Sequence, residues 1–146
     1  MRAFALLAVI AAVALAGCGN AEKNDYVQSV NDATTQMTKA LSSVGSVGSD
    51  PAQMATTLQQ GGAAIEKAAK DFEAIDPPDN AKHAHGLMVD GLHSLADTFD
   101  QAADAAKAKD TDKVVQALTN LQTSDGAKKI QQAQTELQEN GYKFKS

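Results

Sequence analysis

Three groups of side chains in this 146-residue sequence have types and spacings that could do chemistry. His85 stands seven residues after the second proline of Ile75-Asp76-Pro77-Pro78 and is the one ionisable side chain that falls squarely on an apolar seam. An imidazole so placed is either a hydrogen-bonded core residue, the commoner outcome, or a ligand-facing group that titrates near neutral pH. Asp90, His93, Asp97, Asp100 and Asp104 recur in steps of three and four on the opposite face of the same segment. Their oxygens could attract a divalent cation weakly, with His93 joining, although such a run is more often a solvated face. Met37, Met54 and Met88, taken with His85, raise axial ligation of a haem.

The elements that must position these groups are helices. Tyr26, Val30, Ala33, Met37, Leu41 and Val44 mark one helical face and predict a first helix over about 24–44, with Asn24 available as its cap. Glycines and serines over 45–50 read as a loop, and Asp50-Pro51 supplies a cap followed by a proline at the first helical position. Met54, Leu58, Gly61, Ile65, Ala68, Phe72 and Ile75 alternate steps of four and three, the repeat of a helix lying along a nearly parallel neighbour. Pro77 and Pro78 end that helix, because each disfavours helical geometry in the residue before it. A third helix starts near Pro78, with Ala81, His85, Met88, Leu92, Leu95, Phe99, Ala102 and Ala106 as its seam.

In the last segment the stripe Val114, Leu118, Leu121 and the stripe Ile130, Ala133, Leu137 are about half a turn out of phase, which a kink or short turn over 123–126 would resolve. Gly141 suits a left-handed residue after the final helix, with Tyr142 folding back on Leu137. The expected fold is all-α: an up-down-up-down four-helix bundle over 25–142 with a kinked or broken fourth helix, then a short tail over 143–146.

Heights counted from the turns of such a bundle test the candidate chemistry. Phe72 and Tyr26 share the level of His85, so the Tyr26 phenol, or Gln134 on the last helix, would be the hydrogen-bond partner. Gly61 and Gly91 are expected to face each other across the hairpin of the second and third helices, allowing close approach or leaving a small cavity. Haem fails on distance: Met54 stands on the order of 25 Å and Met37 about 15 Å from His85, and Met88 lies one turn further along the same helix. There is also no Cys-x-x-Cys-His, so no cofactor is expected and the methionines read as core filling. His83 and His85 diverge by about 200° and cannot share a metal. No Glu-x-x-His pair, no Ser, His and acid constellation and no glycine-rich phosphate loop occurs, which argues against an enzyme.

The N-terminus carries a positive Met1-Arg2 and an uninterrupted apolar run over 3–14, too short for a spanning helix. The residues that close it, Leu15-Ala16-Gly17-Cys18, resemble the lipobox of bacterial lipoproteins. That resemblance implies a signal peptide over 1–17, cleavage before Cys18, a lipid anchor with palmitate-type acyl chains on Cys18, and display on the extracytoplasmic side of the cell membrane. Residues 18–24 then form a short polar tether, reaching at most ~20 Å when extended. Cys18 is the sole cysteine, so stability must come from packing and not from disulfides. Loss of Arg2, the only arginine, takes the net charge from −5 to −6. This balance disfavours nucleic acid and electrostatic docking on anionic headgroups, leaving the lipid on Cys18 as the membrane contact.

Asp25-Tyr26 at the start of the first helix, followed by Ile75, Pro77, Pro78 and His85, resembles small membrane-anchored lipoproteins of actinobacterial type with an Ile-x-Pro-Pro and histidine hairpin. The resemblance brings no activity with it. Ala84 departs from it where a larger apolar residue is expected, implying looser packing beside His85. The functional expectation is a lipid-anchored, non-enzymatic interaction or binding module of the cell envelope, with an unidentified envelope protein as partner. The alternative is a small-ligand or metal carrier using a pocket near His85 and Tyr26 or the stripe of Asp90, His93 and Asp97.

Overall fold

The computed structural model describes residues 18–43 and 50–144, so the leader expected over 1–17 and most of the loop expected over 45–50 lie outside the described residues. Five α-helices follow in order: α1 (Cys18–Ser43), α2 (Pro51–Glu73), α3 (Lys82–Lys107), α4 (Thr111–Asn120) and α5 (Asp125–Glu139). A single 3-10 turn, Leu121–Thr123, separates α4 from α5. No strand occurs among the described residues. The chain is an all-α four-helix bundle whose fourth limb is broken into α4 and α5.

Caps explain most boundaries. The Asp50 carboxylate accepts from the Gln53 amide at 3.0 Å ahead of Pro51, and Asp110 accepts from Lys113 at 3.1 Å to open α4. Ser124 makes the break before α5: its hydroxyl donates to the Leu121 carbonyl at 2.7 Å and accepts from the Ala127 amide at 3.1 Å. One side chain thus closes the 3-10 turn and opens α5, returning the out-of-phase stripe to the core. After α5, Gly141 takes φ +76°, its amide donates to Gln138 and that of Tyr142 to Leu137, both at 2.9 Å. The same motif ends α3 with Lys109 in the left-handed position at φ 58°.

Two helix starts differ from expectation. α1 begins at Cys18, so the residues expected to be a tether are helical. No breaker follows Gly19, and Lys23 is fixed by donating from Nζ to the Asn140 carbonyl at 2.6 Å. α3 begins at Lys82 and not near Pro78; the Ala81 amide donates to the Pro78 carbonyl at 2.8 Å, so 78–81 closes as a turn before the helix can propagate. At the other terminus the ordered unit runs beyond 142, because Phe144 stacks on Tyr142 with ring centroids 6.3 Å apart.

α3 is the central helix, touching α2, α4 and α5, whereas α1 packs along α2 and makes no comparable contact with α5. Half of the buried apolar residues are alanines, which brings α2 and α3 close together while burying little area per residue. The core has two lobes. At the hinge end Tyr26, Val30, Phe72, Leu92, Leu137 and Tyr142 gather side chains from α1, α2, α3 and α5, and at the far end Leu58, Ala102, Ala106 and Val114 join α2, α3 and α4. The glycine pairing also differs from expectation. Gly61 faces the Phe99 ring, not Gly91, and a methyl group on it would sit 3.0 Å from Phe99. Gly91 faces Gly126 at the mouth of α5: a Cβ there would lie 2.8 Å from the Gly126 carbonyl oxygen and 2.7 Å from Ile130 Cγ1.

Candidate functional site

His85 is 6% exposed, and its Nδ1 lies 3.1 Å from the Tyr26 hydroxyl. The backbone of Phe72, in the last turn of α2, lies near enough to the ring to favour its protonated form, and the two rings stand 6.5 Å apart between centroids. A carbonyl can only accept, so the nitrogen facing Phe72 carries the proton and Nδ1 accepts from Tyr26. One imidazole thereby joins α1, α2 and α3.

Burial lowers the pKa of His85, only partly offset by the backbone of Phe72. Burial pushes Tyr26 up to about 12, with a smaller contribution from Tyr142. The pair is therefore neutral at ordinary pH, with the phenol as donor, and is not arranged for proton transfer. Tyr142 meets Tyr26 edge-on at 5.5 Å between centroids and donates its hydroxyl to Asn80 Oδ1 at 2.6 Å. Lys23 Nζ stands 4.6 Å from the centre of the Tyr142 ring, and Asn140 Nδ2 donates to the Asn80 carbonyl at 3.1 Å. Ala84, next to His85 in sequence, is fully buried.

The acidic stripe is not one site. Asp90 turns toward α5 and pairs with Lys129 at 3.3 Å, whereas His93 turns toward α2, where Nδ1 meets Glu66 at 2.8 Å and Nε2 meets Glu73 at 3.4 Å. Asp97 is exposed. Among the described residues no three His, Cys, Asp or Glu side chains converge in a geometry that could hold a metal. The bond to Glu66 raises the pKa of His93 and lowers that of Glu66. A carboxylate at each ring nitrogen favours the imidazolium, the form that has no lone pair for a metal. The suggested grouping of Asp90, His93 and Asp97 is thus replaced by two separate interhelical ion pairs.

One concavity, largely polar and about 560 Å³ in volume, lies at the hinge and is lined by Tyr26, Ile75, Asp76, Pro77, Pro78 and Lys82 among others; the more apolar one lies on the seam between α1 and α5 that the bundle leaves open. It has a volume of about 390 Å³. Phe72 of α2 and Met88 and Leu92 of α3 line it with Val30 of α1, and all four are buried. Met37 from α1, Ile130 from α5 and Phe144 add apolar wall. The remaining lining groups are uncharged polar side chains, Asn31 and Thr34 on α1 and Gln134 and Gln138 on α5. His85 does not line it; the phenyl ring of Phe72 is shared between the pin and the groove.

The α1 wall is pliable. Thr34, Thr35, Thr38 and Ser42 each donate a hydroxyl to the carbonyl four residues earlier, at 2.7 to 2.9 Å, a habit that bends and slightly weakens helices. Sequence periodicity reveals the apolar floor but not the opening. Gln134 and Gln138, one turn apart beside Ala133 and Leu137, are the only trace of its polar edge. None of the described helices is long and apolar enough to cross a membrane. No family model matches this chain, and neither a curated protein nor a solved structure is significantly similar to it.

Proposed function

We propose that this chain is a non-enzymatic binding module of the cell envelope, held at the extracytoplasmic face of the membrane by a lipid on Cys18, with the α1–α5 groove as its binding surface. The observation that carries this reading is an apolar cavity of about 390 Å³ with no charged residue in its lining. Engineered cavities of roughly 150 Å³ already accept benzene. This volume lies in the range of small-molecule sites, and a few neutral polar groups converge on its mouth as such sites require. The carrier and the interaction module considered from sequence become one proposal, relocated from His85 to the neighbouring seam. The separation of Asp90 from His93 removes support for metal as the cargo.

The test is binding of the neutral fluorophore N-phenyl-1-naphthylamine to the lipidated protein in nanodiscs, measured for the native chain and for Thr34→Trp. Thr34 is exposed on the groove wall, so the indole should fill the mouth without disturbing the core. Enhanced fluorescence that is lost in the variant supports the groove, and equal enhancement in both removes it. The anchor is tested separately by radiolabelled palmitate, whose incorporation should disappear in Cys18→Ala.

A further inference from the structure

The chemistry of the groove narrows its occupant, and this step rests on the groove being the binding surface. We infer that the ligand is a neutral single-chain amphiphile with a hydroxyl-bearing head, of the monoacylglycerol or fatty-alcohol type. Shape is the first reason. The lining runs from Val30 to Met37 along α1 and from Ile130 to Gln138 along α5, about 10 to 12 Å at 1.5 Å per residue, so the space is a slot and not a round pocket. Met37 and Met88 border it, and their flexible thioethers adapt to a chain of variable length.

Charge is the second reason. The lining itself carries no charged group, and Lys129 and Glu136, which stand beside or between its α5 residues, are engaged with Asp90 and His83. A charged head entering the slot would lose hydration without meeting a counter-ion. Hydrogen-bond capacity is the third. The Thr34 hydroxyl donates to the Val30 carbonyl at 2.8 Å, which leaves its oxygen available to accept, while the carboxamides of Gln134 and Gln138 both donate and accept. A head of hydroxyl groups, each donor and acceptor at once, matches that edge. A headless alkane would leave it unused.

The test uses the lipidated chain in membranes and a 1-decanoylglycerol carrying a diazirine on its acyl chain, with cross-links mapped by peptide mass spectrometry. Labelling should fall on peptides containing Met37, Met88 or Ile130 and should be abolished by Thr34→Trp or, from the opposite wall, by Gln134→Trp. Unlabelled 1-decanoylglycerol should compete at concentrations about tenfold lower than decanoate or decylammonium, the preference expected when a charged head lacks a counter-ion. In the Gln134→Leu, Gln138→Leu double variant that preference should shrink while labelling persists. Equal competition by the charged analogues, or labelling away from the groove, overturns the assignment. A headless diazirine alkane separates the two levels. If it labels the groove and the glyceride has no advantage, the ligand class falls and the groove stands; if neither probe labels the groove, both fall.

Discussion

Replacing Gly91 by alanine sets two known effects against each other at one backbone crossing. In an exposed helix interior, Gly→Ala stabilises by about 1 kcal/mol through helix propensity. At Gly91 the added methyl would approach the Gly126 carbonyl oxygen to 2.8 Å, the Ile130 amide nitrogen to 3.3 Å and Ile130 Cγ1 to 2.7 Å. The Ile130 side chain can rotate, but two of the three obstacles are backbone, so α5 must move away from α3. Overpacking of this kind typically costs about 1 to 3 kcal/mol, and backbone obstacles place it at the upper end, leaving a net loss of about 1 to 2 kcal/mol. Gly86 lies on the same helix with nothing within 4 Å of its would-be methyl. There the propensity gain should appear alone, about 1 kcal/mol of stabilisation. Guanidinium unfolding followed by circular dichroism should place Gly86→Ala above and Gly91→Ala below the native chain, with melting temperatures shifting roughly 3 to 6 °C per kcal/mol. Ile130 also lines the groove, so Gly91→Ala should weaken fluorophore binding, whereas Gly86→Ala should not. A Gly91→Ala chain at least as stable as the native one would refute the close crossing.

Three further outcomes follow from the same geometry. Tyr26→Phe keeps the ring contacts but leaves Nδ1 of the buried His85 without its donor, and urea midpoints should show a loss of about 1 to 3 kcal/mol. Lys109→Gly should raise stability by about 1 kcal/mol in thermal or denaturant unfolding, because it relieves the left-handed backbone strain at φ 58° and the lysine is exposed. His85 and His93 should respond oppositely to pH. His85, with its pKa lowered in the fold, stabilises fully above its unfolded value near 6.5, and that contribution drains as pH falls below it. His93, with its pKa raised by Glu66, contributes fully below about 6.5 and loses that contribution as pH rises through its folded value. Ring-proton NMR should find His93 charged at a pH where His85 is neutral; the reverse order would contradict both assignments.

Much of this molecule is readable from one-dimensional pattern because its elements are local. The seam of α2, the cap at Asp50, the proline stop and the left-handed Gly141 all depend on residues within a turn or two of one another. Even the meeting of Tyr26 with His85 could be reached by counting heights, since both stand near the hinge that sets the count. Counting failed further away. Gly61 meets Phe99, eight residues or about two turns beyond Gly91, and Gly91 meets Gly126, a displacement larger than the four-residue delay in the start of α3. The groove was illegible for another reason. Whether α1 closes against α5 depends on the mutual tilt of helices that share no short-range signal, and their apolar stripes look the same whether or not they touch. The acidic stripe misled because spacing on one helix says which residues share a face, not which neighbouring helix claims each of them; Lys129 took Asp90 and Glu66 took His93.

The one-sided packing of α1 also bears on how the protein opens. A helix that packs along its length on α2 alone, is tied to α3 and the end of α5 through Tyr26 and Lys23 in its first half, and whose hydroxyls compete for its own carbonyls is the natural candidate for the least stable cooperative unit of the bundle. Its amides should exchange with solvent through a sub-global event that leaves α2, α3 and α5 assembled, while the amides of α3 wait for complete unfolding. In that partly opened species Phe72, Met88 and Leu92 would be bared together as one apolar strip. Two classes of exchange rate, divided at the α1–α2 boundary, would be the thermodynamic signature of a bundle built as a three-helix core with a detachable fourth side.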